Sequence, residues 1–353
     1  MTSVAIVVNS LGMGGAERSA SNLSLLLHDA GYDVHVIAVW NNKFYPHGGT
    51  YDAIQQRSGL LRKLQMAREF KRLLVNYKVT QVIDYRTRVN ALKERSFQSY
   101  IYRGLRTIYT VHSANEALYL PSKARKILMG VNDFVFVSQD THDRLAPQFP
   151  SVPSHVVYNW MKLDELDALS RKRLPPEAPQ KYILWFGRLD DDTKDISGIC
   201  KAYMNSDLPD QDIHLMILGD GPSRMKLMKD HMHPMIDFRD AVDNPYPFVA
   251  KAVATIINSR FEGLPTVVVE SLHLGTFVIA KDDIPGIGEL VMDGVNGILF
   301  SEGDGNLTEV LNQINEHATS LEDGVGLPPD LESRLDKNYI AAQWQAILSQ
   351  HTS

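Results

Sequence analysis

Short apolar runs alternate with longer helical stretches along this sequence, and the alternation leaves few folds open. Val4–Asn9, Val34–Val39, Val79–Tyr85, Arg106–His112, Phe134–Ser138 and His155–Tyr158 read as strands. Their apolar residues run on rather than alternate, so both faces of each strand need cover. Ala16–Ala30, ended by Gly31, and Leu60–Tyr77, free of Gly and Pro, read as helices between them. Strands and helices in this order specify a parallel sheet covered on both sides. Ser170–Gln180 then interrupts with three prolines and a charge cluster, as a linker does. Beyond it the alternation restarts through Tyr182–Phe186, His214–Leu218, Ala254–Asn258 and Phe277–Ala280, and closes on a helix over Asp336–Gln350. The expectation is an α/β chain of two doubly wound domains, 1–172 and 173–337.

Composition sharpens this. A length of 353 residues suits two domains, and 44% hydrophobic with 22% charged residues excludes disordered, collagenous and disulfide-scaffold chains. Cys200 is the single cysteine, so no disulfide forms within the chain. The start, MTSVAIVVNSLGMGG, lacks a basic n-region, and no apolar run reaches 18 residues. The expected location is cytoplasmic.

The net charge of −6 is unevenly spread. Residues 1–172 hold 22 Lys and Arg against 14 Asp and Glu, whereas 173–353 hold 14 against 28. The basic residues of the first half are Arg62, Lys63, Arg68, Lys71 and Arg72 on the second helix, then Arg86, Arg88, Lys93, Arg95, Arg103 and Arg106. They read as a surface for an anionic bilayer, a lipid-linked pyrophosphate or an anionic glycan, at the inner face of the cytoplasmic membrane. No nucleic-acid-binding motif accompanies them.

Three segments carry chemistry. Gly12-Met13-Gly14-Gly15-Ala16-Glu17-Arg18 follows the first strand. A dinucleotide fingerprint needs glycine at 17 and an acid after the second strand; Glu17 and Trp40-Asn41-Asn42 stand there instead. The turn still brings backbone amides and a helix start to an anion. Phe186-Gly187-Arg188-Leu189, with Lys194 beyond, places two cations after a strand; alone, such a pair is common. The third segment runs from Ser259 to Glu270. Its helix, expected over about Pro265–Leu274, leaves the amides of Leu264, Thr266 and Val267 open to an anion, between Glu262 before it and Glu270 upon it. A carboxylate suits vicinal sugar hydroxyls and repels phosphate. Two carboxylates astride an anion site therefore match ribose, diphosphate and hexose, the layout of a nucleotide-sugar.

With these motifs in this order the sequence resembles the family 4 retaining glycosyltransferases, of the GT-B fold, close to transferases of bacterial surface glycans and lipid-linked oligosaccharides. Gly14-Gly15 resembles the family's N-terminal loop. Gly187-Arg188-Leu189 with Lys194 resembles its diphosphate clamp, and Glu262 with Glu270 its E-x7-E signature. Pro285-Gly286 and Asp293–Gly297 resemble a later segment. The resemblance implies two facing Rossmann-like domains with a cleft between them, the acceptor on the first and the donor on the second. The last helix, about 338–353, would pack back on the first domain. It implies that Glu270 holds the ribose, that Glu262 holds the donor hexose, and that Arg188 and Lys194 neutralise the leaving diphosphate. His112 would touch the donor sugar or the reacting centre, and Gly263, Leu264, Thr266, Val267 and Phe238 would complete the donor site. The sequence departs from the family at Asp195, where Gly or Asn is usual, and at Arg239, where glycine is common.

The implied reaction moves a hexose or N-acetylhexosamine from a UDP-sugar to a glycan or lipid-linked acceptor, with retention and with no essential metal or cofactor. Asp190-Asp191-Asp192 reads as a solvated loop rather than a metal site, and His231 and His233 as surface residues. Two rival readings stand beside this one: a nucleotide-sugar epimerase on the same fold, and a non-catalytic glycan-binding protein.

Overall fold

The computed structural model describes residues 2–12, 14–54, 59–302, 306–320 and 325–350, with the side chains of 60–63 and 315–320 left aside. Met13 of the glycine-rich turn and residues 351–353 of the last expected helix lie outside the described residues. The chain forms two compact units, 1–161 with 333–353, and 162–332.

The first unit holds strands β1 (Ser3–Val8), β2 (Asp33–Ala38), β3 (Thr50–Ala53), β4 (Gln81–Asp84), β5 (Arg106–Val111), β6 (Asp133–Phe136) and β7 (Ser154–Val156). They form one sheet in the order β3-β2-β1-β4-β5-β6-β7, and every pairing is parallel. Consecutive side chains of β1 turn to opposite faces, and both faces are buried. Val4, Ile6 and Val8 meet Leu23, Leu26 and Leu27 of the helix Gly15–Asp29. Ala5 and Val7 join a second core with Phe70, Leu74 and Phe97. The helix Lys337–Ser349 belongs to this unit, and its Ile340, Trp344, Ile347 and Leu348 are buried on the first face.

The second unit holds β8 (Tyr182–Arg188), β9 (His214–Asp220), β10 (Ile236–Arg239), β11 (Ala254–Ile257), β12 (Val278–Lys281) and β13 (Gly297–Phe300). Their order is β10-β9-β8-β11-β12-β13, again parallel throughout. Ile183 and Trp185 pack on one face with Ile196, Ile199 and Leu311, while Tyr182, Leu184 and Phe186 pack on the other with Phe248 and Val249. In both sheets the strand order reverses beside the first strand of the unit. Ligands of such sheets bind at that reversal, outside the carboxyl ends of the strands.

The division between the units falls at 161/162 rather than in the proline-rich stretch near 172. The helix Leu163–Ser170 is fastened to the second unit: Asp167 pairs with His273 at 3.3 Å, and Asn244 donates to the Leu169 carbonyl at 2.9 Å. Leu174 and Ala178 continue the same core, so the linker-like prolines sit against a folded body.

Candidate functional site

In the second unit the site grows from the carboxyl ends of β8 and β11. Gly187 and Gly219 are partners in the β8–β9 register, at φ +141° and +157°. A Cβ on Gly219 would stand 1.9 Å from the Gly187 carbonyl oxygen, so the two backbones meet this closely only with glycine at 219. That contact sets the end of β8, where Arg188 is exposed and its side chain has no partner among the described residues.

Lys194 ends the short helix Asp191–Lys194, and its ammonium donates to the Glu262 carboxylate. Asp195 follows in the left-handed region at φ +48°, a conformation that Asn, Asp and Gly tolerate best. This accounts for the departure from Gly or Asn at that position. Its carboxylate is held by Asn258 at 2.8 Å and Arg260 at 3.0 Å, fastening the Lys194 turn to the loop that carries Glu262. Asp191 caps the next helix, accepting from the Ser197 amide at 2.8 Å and hydroxyl at 2.6 Å. It is not the freely solvated loop acid expected. Arg239, the other departure, pairs with Asp237 on its own strand at 2.7 Å and donates to the Glu177 carbonyl.

The helix of the third motif runs Thr266–His273, with Pro265 as N-cap rather than first helical residue. The amides of Thr266 and Val267 donate to no partner among the described residues, because a first turn has no carbonyl before it. Glu270 is 3% exposed and accepts from the Tyr246 hydroxyl at 3.1 Å. Ser259 Oγ is buried without a partner among the described residues. Gly263 and Leu264 are buried in the same loop, and Phe238 is half-buried against the core. Arg188, Lys194, Glu262, Glu270 and this helix start all belong to the second unit. Tyr246 and Asn258, which position them, lie in no motif, and Arg260 lies inside the third segment without a role that the segment assigns. His231 and His233 are half-buried instead of surface residues: His231 meets the Ser197 hydroxyl at 3.2 Å, and His233 accepts from the Met235 amide.

In the first unit a pocket opens at the carboxyl ends of β1 and β4, lined by Asn9, Ser10, Ala16, Glu17, Tyr85 and Tyr119. Gly14 is the N-cap of the helix entering it, and nothing lies within 4 Å of where a Gly15 Cβ would stand. His112 follows β5, stacked on Tyr85 with ring centroids 4.5 Å apart. Both its ring nitrogens are buried and unpartnered among the described residues. Burial, reinforced by the Arg88 charge, pushes its pKa down to about 3, so the ring is neutral near pH 7.

Arg86 and Arg88 are not the surface cations expected. Both are fully buried: Arg86 pairs with Asp84 and Glu94, and Arg88 donates to the carbonyls of Asp84, Thr110 and Tyr119. Arg106 is likewise tied to Asp133 at 2.7 Å. Arg68, Arg72, Lys93, Arg95 and Arg103 remain exposed and Lys71 half-buried, while the side chains of Arg62 and Lys63 lie outside the described residues.

The carboxylates of Glu262 and Glu270, the exposed Arg188 and the Lys194–Glu262 ion pair stand on elements that meet at the strand-order reversal of an open parallel sheet, where ligands of such sheets bind. Residues 13–165 match the model described as Glycosyltransferase Family 4. Residues 180–318 match Glycosyl transferases group 1, and the chain belongs to this family of glycosyltransferases. Among curated proteins it is 25% identical to N-acetylgalactosamine-N,N'-diacetylbacillosaminyl-diphospho-undecaprenol 4-alpha-N-acetylgalactosaminyltransferase of Campylobacter jejuni, over 87% of this chain and 88% of that one. It is 24% identical to the amylovoran biosynthesis glycosyltransferase AmsD of Erwinia amylovora, over 94% and 91%. Among solved structures it superposes on Anabaena Alr3699/HepE in complex with UDP-glucose with a TM-score of 0.76 at 16% identity, covering 99% of this chain and 100% of that one. The fold is thus GT-B, and the protein is a glycosyltransferase enzyme. No helix among the described residues is long and apolar enough to cross a membrane.

Proposed function

We propose that the protein transfers a hexose or N-acetylhexosamine, with retention, from a UDP-sugar to a glycan or lipid-linked acceptor of a bacterial surface glycan. One observation carries this reading: the unpartnered Arg188, the Lys194–Glu262 ion pair, the buried Glu270 and the two open amides of Thr266 and Val267 gather at one strand-order reversal. Arg188, Lys194 and the helix start receive the diphosphate, Glu270 the ribose and Glu262 the donor sugar. Charge that develops on the leaving diphosphate meets cations already in place. The acceptor oxygen forms its bond to the anomeric carbon on the face the diphosphate leaves, and its proton passes to a phosphate oxygen. Neutral His112, whose ring nitrogens are unpartnered among the described residues, is our candidate for a hydrogen bond to the sugar without added charge. The UDP-glucose complex of Alr3699/HepE and the lipid-linked substrate named for the Campylobacter enzyme support the donor and acceptor classes. Asp191 is committed to its cap, and Arg188 with Lys194 supply the positive charge, which supports a reaction with no essential metal.

The deciding experiment screens UDP-, GDP- and ADP-sugars for a rise in melting temperature, since a bound ligand stabilises by mass action. The product of the best donor is then examined by NMR for its anomeric configuration. A response to UDP-sugars with an α-linked product from an α-linked donor is expected. A GDP-only response or an inverted product overturns the donor or the retention.

A further inference from the structure

Between β2 and β3 the first unit carries the loop Trp40-Asn41-Asn42-Lys43-Phe44-Tyr45-Pro46-His47. It begins at the carboxyl end of β2, on the edge of the sheet where ligands of this fold bind. Trp40 is 46% exposed and Phe44 50% exposed. Large apolar rings left in water cost solvation, and a group of them marks a contact surface. The loop is nonetheless fixed. Trp40 donates to the Asn9 carbonyl at 2.8 Å, Leu11 to the Asn42 carbonyl at 2.9 Å, and Phe44 to the Leu11 carbonyl at 2.8 Å. Ser21 Oγ donates to the Pro46 carbonyl, and Phe44 meets Tyr45 edge to face at 5.1 Å. The backbone that carries its rings is therefore held in place, with little loop ordering left to a partner. The bonds from Leu11 and Asn9 attach it directly to the strand end and turn that open onto the pocket of β1 and β4.

We infer that this loop is the subsite for a sugar ring of the acceptor glycan, stacked on Trp40 and Phe44 with its hydroxyls bonded by Asn41 and Asn42. The C–H face of a pyranose is apolar and slightly positive, and it suits the negative face of an aromatic ring. The amides of Asn41 and Asn42 are exposed and have no side-chain partner among the described residues, so they are open to a ring's rim of hydroxyls. Those two amides favour a sugar over lipid, because polar groups without partners are costly in an apolar medium. The inference deepens the proposed function by naming where the acceptor's sugar lies, and it rests on that reading.

The test uses the full chain. Trp40 is the most exposed of the four tryptophans; Trp185 and Trp344 are buried and Trp160 half-buried, so a contact at the loop registers in emission. Methyl α-glycosides of N-acetylgalactosamine, N-acetylglucosamine and galactose are titrated while fluorescence is read. At least one should give a saturable change that is absent in Trp40→Ala and kept in part by Trp40→Tyr. With a transferable acceptor, Trp40→Ala and Phe44→Ala should each raise KM about tenfold or more. A melting-temperature rise with UDP in both variants shows that the fold is intact. Emission unmoved by every glycoside, with wild-type KM in both variants, overturns the inference. So does emission that answers only to anionic phospholipid vesicles, or a change of oligomeric mass in the variants, since the rings then belong to a bilayer or to a second copy. A chain that turns over no nucleotide-sugar yet still shows glycoside binding through Trp40 refutes the proposed function and leaves the subsite standing.

Discussion

Lys194 and Glu262 form one ion pair, so the two residues do not act on the donor independently. Removing the Glu262 charge frees an ammonium beside the expected diphosphate. Glu262→Gln should therefore bind UDP more tightly, by up to about fivefold for a partly exposed pair, while turnover falls if the proposed sugar contact is lost. Glu270→Gln should weaken UDP, since that carboxylate is buried and already oriented by Tyr246. Calorimetry with UDP on both variants separates the roles, and equal losses would merge them. His112 makes a second prediction, with a sign fixed by its environment. Its pKa lies near 3 in the fold against about 6.5 in the unfolded chain. Above pH 6.5 both states are neutral and the group has no effect. As pH falls from 6.5 toward 3 the unfolded chain takes up the proton first, and stability drops by about 1.4 kcal/mol per pH unit. Denaturant melts between pH 7 and pH 5 should show a shallower loss in His112→Phe, which keeps the stack on Tyr85 without titrating. An unchanged slope would show that the ring is not desolvated.

At the scale of the element, the close approach of β8 and β9 decides where Arg188 stands. Gly219→Ala puts a methyl group against the Gly187 carbonyl and should cost about 1–3 kcal/mol, with a loss of UDP affinity that a remote mutation of equal cost would lack. Melting and calorimetry on the same sample check both parts. The pattern of runs was sufficient for the inner strands. β1, β4, β8 and β11 are buried on both faces and write themselves as apolar stretches. The strands it did not mark, β3, β10 and β13, are all edges of their sheets. An edge strand pairs on one side only and is short, so β3 can read Thr-Tyr-Asp-Ala without an apolar run and the four residues of β13 are too few to stand out, whereas β7, the remaining edge, was marked. The candidate site was legible where a residue type carries the chemistry itself, as at Arg188, Lys194, Glu262 and Glu270. It was not legible where a residue acts by holding another. Tyr246 and Asn258 belong to no spacing rule, and the burial of Arg86 and Arg88 depends on partners at 84 and 94 and on distant carbonyls. A count of cations along the chain does not distinguish a charge in water from one paired inside.

For the whole molecule, charge follows the two units. With their observed limits the first holds 21 Lys and Arg against 12 Asp and Glu, and the second 15 against 30. Because Arg86, Arg88 and Arg106 are internal, a test of attraction to anionic vesicles belongs on Arg68, Arg72, Arg95 and Arg103. Replacing these four with Gln should lower vesicle binding at low salt, each contributing about 1 kcal/mol, as measured by co-sedimentation. No binding by the unmodified protein would assign the charge to a soluble acceptor or to solubility. The helix Lys337–Ser349 covers one face of the first sheet, and Trp344→Ala should destabilise that unit by about 3–5 kcal/mol in a thermal melt. A melting temperature like that of the unmodified chain would deny the helix this role. The first unit is thus made from the beginning and the end of the chain, with the second unit inserted between. On the ribosome, residues 162–332 emerge before the last helix exists. At 5–20 residues per second the nascent first sheet waits on the order of ten to thirty seconds with the face of Val4, Ile6 and Val8 incompletely covered. The second unit is synthesised as one piece, and the first unit is completed last, so a chain that stops before residue 337 carries the exposed face that chaperones bind.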